Sequence, residues 1–131
     1  MEAMMRIDSQ GLLAGGEYIP SPNCDDRPAV AIELLVIHNI SLPPGEFGGD
    51  GVQRLFTNTL DVAAHPYYQT IAGLKVSAHF FVRRDGQIIQ FVPCLRRAWH
   101  AGVSCWQGRS CCNDFSLGIE LEGSDAVPFA D

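Results

Sequence analysis

The chain has 131 residues, 47% hydrophobic and 18% charged, with a formal charge of −6 and a pI near 5.0. This is ordinary composition for one globular domain, and its acidity argues against a nucleic-acid partner, which selects clustered Lys and Arg. No run of about 18 apolar residues is present, and Met1-Glu2-Ala3-Met4-Met5-Arg6 lacks the apolar core of a secretory signal. The expectation is a soluble, cytoplasmic chain without a membrane partner.

Residues 1–10 have mixed polarity and no period, which predicts a flexible start and a domain that begins near Gly11 and runs to Asp131. The stretch from Ser21 to Pro28, rich in Pro and Asp, reads as a loop. It feeds the apolar run Leu34-Leu35-Val36-Ile37, which ends on His38-Asn39. A run this short and rich in β-branched residues predicts a central strand over 32–38, with His38 at its C-terminal end on the rim of a sheet. The paired prolines and three glycines of Ser41-Leu42-Pro43-Pro44-Gly45-Glu46-Phe47-Gly48-Gly49 forbid both ladder and helix.

Val52, Leu55, Phe56 and Leu60 recur at helical spacing, and Pro66 suits the first turn of a second helix through Leu74. Two strands, 76–84 and 87–92, flank Asp85-Gly86, a dipeptide suited to a type I′ hairpin turn. Residues 93–114 read as one long irregular loop of the kind that serves a site. Phe115-Ser116-Leu117-Gly118-Ile119-Glu120-Leu121-Glu122 then alternates as a strand does. The sum is an α/β (α+β) chain with a mixed central β-sheet flanked by helices. Two short helices are too few to cover that sheet, so either the first segments wrap it tightly or a covering element is missing after Asp131.

Four histidines and one carboxylate are the candidates for chemistry. His65, before Pro66, reads as a capping or surface residue. His79, in Ser77-Ala78-His79-Phe80, reads either as a satisfied core residue or as a neighbour of His38. His100, beside Trp99 in the long loop, could line a ligand wall. Strand alternation sets Glu120 on one layer with Gly118 and Glu122, where it is either a solvated acid or a group that activates water beside a metal. Cys24, Cys94, Cys105, Cys111 and Cys112 form no Cys-x2-Cys pair, and free thiols are expected.

Several of these strings occur together, in order: Val36 to Gly49, Val76 to Phe80, Arg83 to Gly86, Arg97 to Ser104 and Cys112 to Gly123. Over about Gly11 to Gly123 they closely resemble the type 2 N-acetylmuramoyl-L-alanine amidases, above all those that act on 1,6-anhydro-muropeptides. The resemblance implies a monomeric zinc hydrolase that cuts the amide between anhydro-N-acetylmuramic acid and L-alanine during cell-wall recycling. It makes His38 a zinc ligand and Glu120 the acid beside the attacking water. It makes Trp99 a platform for the sugar, and places Asn39 and His100 by the substrate. Lys75 stands where the family has an arginine that grips stem-peptide carboxylates. A second such arginine aligns with Cys111, which carries no charge.

The family's other two zinc ligands and a catalytic lysine align beyond the Glu120 strand, outside these 131 residues. The resemblance therefore implies the N-terminal two thirds of an amidase domain, in which only one zinc ligand is present. Three alternatives accompany that reading. One is a metal-free muropeptide-binding module and another is an endolysin-type amidase acting on intact wall. In the third, His38, His79 and His100, or the Cys105 to Cys112 cluster, form a substitute zinc site.

Overall fold

Residues 5–130 are described in the computed structural model. Its strands are β1 (Glu17–Tyr18), β2 (Cys24–Asp26), β3 (Leu34–Ile40), β4 (Phe80–Val82), β5 (Ile88–Gln90), β6 (Arg96–Ala98), β7 (Cys105–Trp106), β8 (Arg109–Ser110) and β9 (Ser116–Glu122). Five of them make the central sheet in the order β1-β5-β4-β9-β3, in which β4 and β5 are antiparallel and the other neighbours parallel. Two small antiparallel ribbons, β2-β6 and β7-β8, stand beside it. The helices are short, α1 (Gly51–Phe56) and α2 (Pro66–Thr70), and a 3-10 turn at Cys112–Phe115 leads into β9. None of the described helices is long and apolar enough to cross a membrane.

The two longest strands, β3 and β9, lie side by side in register from Leu34↔Ser116 to Ile40↔Glu122. β3 runs two residues farther than expected because pairing persists to Ile40, whose carbonyl accepts from Gly123 N. His38 is thus an interior strand residue and not a terminal one. β9 keeps a strict alternation, with Ser116, Gly118, Glu120 and Glu122 buried and Leu117, Ile119 and Leu121 only half-buried. The polar face of this strand is the inner one. On the other face, Leu35 and Ile37 of β3 stay 53% and 60% exposed, so that apolar face lacks a cover among the described residues.

The core gathers Val52, Leu55 and Phe56 of α1, Tyr68 of α2, and Phe81, Ile89, Phe91 and Val92 around the β4-β5 pair. Phe56 and Phe91 meet edge to face at 5.1 Å.

Several local expectations need correction. α1 ends at Phe56, with Asn58 at φ 59°, so Leu60 lies outside it. α2 stops at Thr70, short of Leu74. The turn at Asp85-Gly86 is not type I′, since only Gly86 takes positive φ (89°) and its N–H donates to Arg83 O. The span 93–114 contains three short strands, and the segment from Ser21 to Pro28 contains β2. That β2-β6 ribbon is built by charge, with Asp25 paired to Arg97 and Asp26 to Arg96. At the start of the chain, Ile7 bridges Leu13, and the Asp8 carboxylate accepts from the N–H groups of Gln10 and Leu12. Met1–Met4 lie outside the described residues.

Candidate active site

The β3-β9 register sets His38 directly beside Glu120 on the inner layer of the sheet. Neighbouring strands lie about 4.8 Å apart, so the imidazole and the carboxyl share one locality. Glu120 is 8% exposed, and its Oε2 has no hydrogen-bond partner. Burial without compensation pushes its pKa up to about 8. A buried carboxyl oxygen left without a partner calls for an explanation, and a reacting group is one of the few on offer.

His38 is half-buried, and burial lowers its pKa. Its Nε2 lies 3.1 Å from His100 Nδ1, and His100 Nε2 lies 3.0 Å from the Oγ of fully buried Ser116. The His100 pKa falls to about 3, first through burial and then through the neighbouring His38, His79 and Arg27 charges. This ring lies against β9 where Gly118 has no side chain. A Cβ there would fall 2.5 Å from His100 Cγ and 2.6 Å from Cδ2. His100 is therefore a half-buried ring packed between Gly118 and His38.

The other histidines divide cleanly. His79 is 0% exposed, its Nδ1 accepts from Gly118 N at 3.1 Å, and its Nε2 donates to Arg96 O at 2.8 Å. Both ring nitrogens are satisfied and burial lowers its pKa to about 4, so His79 is a neutral core residue. His65 caps α2, its Nδ1 accepting from Tyr67 N. With His79 fully engaged, the substitute zinc site fails. Among the described residues no three His, Cys, Asp or Glu side chains gather to hold a metal, and all five cysteines are free thiols.

The remaining expected residues are spread more widely. Asn39 follows His38, so the pleat turns its side chain to the opposite face, where Nδ2 donates to Asp125 Oδ1 at 2.7 Å. It borders a cavity of about 370 Å³ together with Ser41, Tyr67, Leu74, Val76 and Asp125. Lys75 is exposed at an adjoining cavity of about 260 Å³ that shares Leu55, Ile71 and Leu74 with the first. Trp99 is half-buried, and its backbone N–H donates to Ser77 Oγ. Cys111 is exposed at φ 57°.

Sequence reasoning passed over two groups. Arg27 extends its guanidinium beneath β9, and Glu122 accepts from Gly48 N, Arg83 Nη2 and Arg84 N, which fastens the Pro-Gly loop to the hairpin. The Arg83-Arg84 pair just before the turn was the available signal for the second.

The model of the N-acetylmuramoyl-L-alanine amidase family matches residues 27–131. The 1,6-anhydro-N-acetylmuramyl-L-alanine amidase AmpD of Escherichia coli (strain K12) is 58% identical over 123 residues, covering 93% of this chain and 67% of AmpD. That of Haemophilus influenzae is 53% identical, with the same coverage of both chains. The crystal structure of a selenomethionine derivative of AmpD superposes with a TM-score of 0.94 at 58% identity, covering 97% of this chain and 71% of the other. The chain thus spans about two thirds of the length of these curated relatives. Matched in sequence over nearly all its residues and in the course of its backbone, the chain belongs to the N-acetylmuramoyl-L-alanine amidase family.

Proposed function

We propose that this site hydrolyses the amide between the lactyl group of 1,6-anhydro-N-acetylmuramic acid and L-alanine in muropeptides, as a cytoplasmic monomer in cell-wall recycling. The observation that carries the reading is the buried, unpartnered Glu120 carboxyl beside His38, in a chain 58% identical to an enzyme named for that bond. In its ionised form Glu120 takes a proton from water as the water oxygen attacks the lactyl carbonyl. It returns that proton to the alanine nitrogen as the C–N bond breaks. A pKa of about 8 leaves about one molecule in ten ionised at pH 7, and makes that ionised form a stronger base toward water than an ordinary glutamate.

Lys75 is exposed beside the cavities and offers a point charge to stem-peptide carboxylates. Asn39 borders the larger cavity and supplies an amide to the peptide, Trp99 a face for the sugar, and His100 a brace for His38. Residues 11–131 form the N-terminal two thirds of a single amidase domain in this reading.

Zinc belongs to this family reading, and when bound it polarises the carbonyl and acidifies water. A catalytic zinc takes about three protein ligands and keeps one open position. The described residues offer one suitable imidazole, His38, and no set of three, so they do not fit a complete zinc centre. A second reading, which needs no metal, is a module that binds anhydro-muropeptide without turning it over.

One experiment separates the two. The purified chain is equilibrated with micromolar zinc and gel-filtered, its zinc is counted by elemental analysis, and stem-peptide release from anhydro-muramyl tripeptide is followed by mass spectrometry. Bound zinc with release that falls at least about 100-fold in Glu120→Gln supports the hydrolase. Tripeptide binding with neither zinc nor release supports the module, and the absence of both binding and release refutes both readings.

A further inference from the structure

We propose that Arg27 is the positioning residue of this site. Its guanidinium gathers five backbone carbonyls, fixes the tautomer of His79, and through His79 holds the Gly118–His100 contact on which His38 rests. The inference deepens the reading above only in treating His38 and Glu120 as the site.

Arg27 comes from the end of β2 and reaches two other segments at once. Its Nη1 donates to Asn113 O at 3.2 Å, Asp114 O at 3.1 Å and Ser116 O at 3.1 Å, all at the entry to β9. Its Nη2 donates to Cys94 O at 3.0 Å and Arg96 O at 2.9 Å, around the start of β6. A planar fork with fixed donor directions can serve so many acceptors from one position, and an ammonium cannot.

The consequence for His79 follows from counting protons. Gly118 N can only donate and takes His79 Nδ1 as its acceptor at 3.1 Å, so Nδ1 bears no hydrogen and the 3.2 Å approach of Arg27 Nη2 to Nε2 is a contact between two donors, with Nη2 turned to the Cys94 and Arg96 carbonyls. His79 Nε2 must itself carry the hydrogen, which it gives to the same Arg96 carbonyl at 2.8 Å. A cation at that distance also opposes a second ring proton. Nδ1 is thereby left as an acceptor.

That acceptor takes Gly118 N at 3.1 Å, while the His79 backbone N–H donates to Gly118 O at 3.0 Å. One residue therefore holds both polar groups of the Gly118 peptide positions, just before β4 begins its own pairing with β9. The His100 ring lies where a Gly118 Cβ would stand, so ring and strand backbone pack in direct contact. His100 in turn meets His38 at 3.1 Å. The path from Arg27 to His38 is thus an unbroken series of hydrogen bonds and one close packing contact.

The test reads the rings directly and needs no turnover, so failure of the proposed activity leaves it intact. Long-range proton–nitrogen spectra of the uniformly labelled 131-residue chain are recorded at pH 7.5 for wild type, Arg27→Met and Arg27→Lys. Wild type is expected to show His79 protonated at Nε2 alone. In folded Arg27→Met the His79 pattern collapses to a mixture of tautomers, and the His100–His38 ring cross-peak loses at least about half its intensity. Arg27→Lys, which keeps the charge and loses the fork, does not restore either. Unchanged His79 and His100 signals in either folded variant would overturn the proposal. So would a wild-type His79 protonated at Nδ1, whether or not the variants fold.

Discussion

Replacing Gly118 by alanine puts the packing beneath His38 to a quantitative test. The new methyl would lie 2.5, 2.6 and 2.8 Å from Cγ, Cδ2 and Nδ1 of His100, against about 3.5–4.0 Å for comfortable contact. The ring must retreat by about 1 Å. In doing so it gives up its hydrogen bonds to His38 and Ser116, worth about 1 kcal/mol each. Overpacking of a dense interior adds about 1–3 kcal/mol, and the stiffer unfolded chain of an alanine returns about 0.5–1 kcal/mol. The net expectation is a loss of about 2–4 kcal/mol. With a urea slope of about 2 kcal/mol per molar for a chain of this size, the midpoint of unfolding should fall by about 1–2 M. In a His100→Ala background the obstacle is gone, so the same substitution should cost less than about 1 kcal/mol. A Gly118→Ala midpoint within about 0.3 M of wild type would refute the reasoning, as would an equal cost in both backgrounds.

Glu120→Gln should remove activity and stabilise the fold. A folded-state pKa raised to about 8 means the unfolded chain ionises first, so Glu120 erodes stability as pH rises from about 4.5 to 8. Urea unfolding should therefore show the Gln variant more stable than wild type by about 2 kcal/mol or more at pH 8 and nearly equal to it at pH 4, and equal stability at both would be the contrary result. Glu122→Ala leaves Arg83, only 12% exposed, without its carboxylate and with the Gly49 carbonyl as its remaining acceptor, at a cost of about 2–4 kcal/mol. The Gly48 amide, which donates to Glu122, should exchange faster in that variant, and unchanged protection would count against the clamp.

The parts of the fold that could be read from sequence are those where side-chain periodicity and burial agree. β3 announced itself by a β-branched run and β9 by strict alternation, and the same alternation correctly put Glu120 on one layer with Gly118 and Glu122. The β2-β6 ribbon escaped because Asp25, Asp26, Arg96 and Arg97 carry no apolar period, and its pairing is ionic across 70 residues of chain. The type I′ turn was expected from a dipeptide, but turn type depends on both central residues, and Asp85 stays out of the left-handed region. At the site, residue identity marked His38 and Glu120. No local pattern distinguishes a histidine satisfied by Arg96 O and Gly118 N from one that faces a ligand, so His79 was left open. Arg27 was invisible for a similar reason, since its partners are backbone carbonyls, which carry no sequence signal.

The open side of β3 bears on how the protein behaves in bulk. Among the described residues its seven residues pair only with β9, so one flank has no strand partner, next to the exposed Leu35 and Ile37 side chains. Such a flank is a template for a further strand. In a sample of these 131 residues every copy carries the same template, so self-association should rise steeply with concentration and β-rich precipitate should set the ceiling on how far it can be concentrated. Leu35→Lys or Ile37→Lys, on the exposed sheet face next to that flank and opposite His38, is the substitution to raise the ceiling.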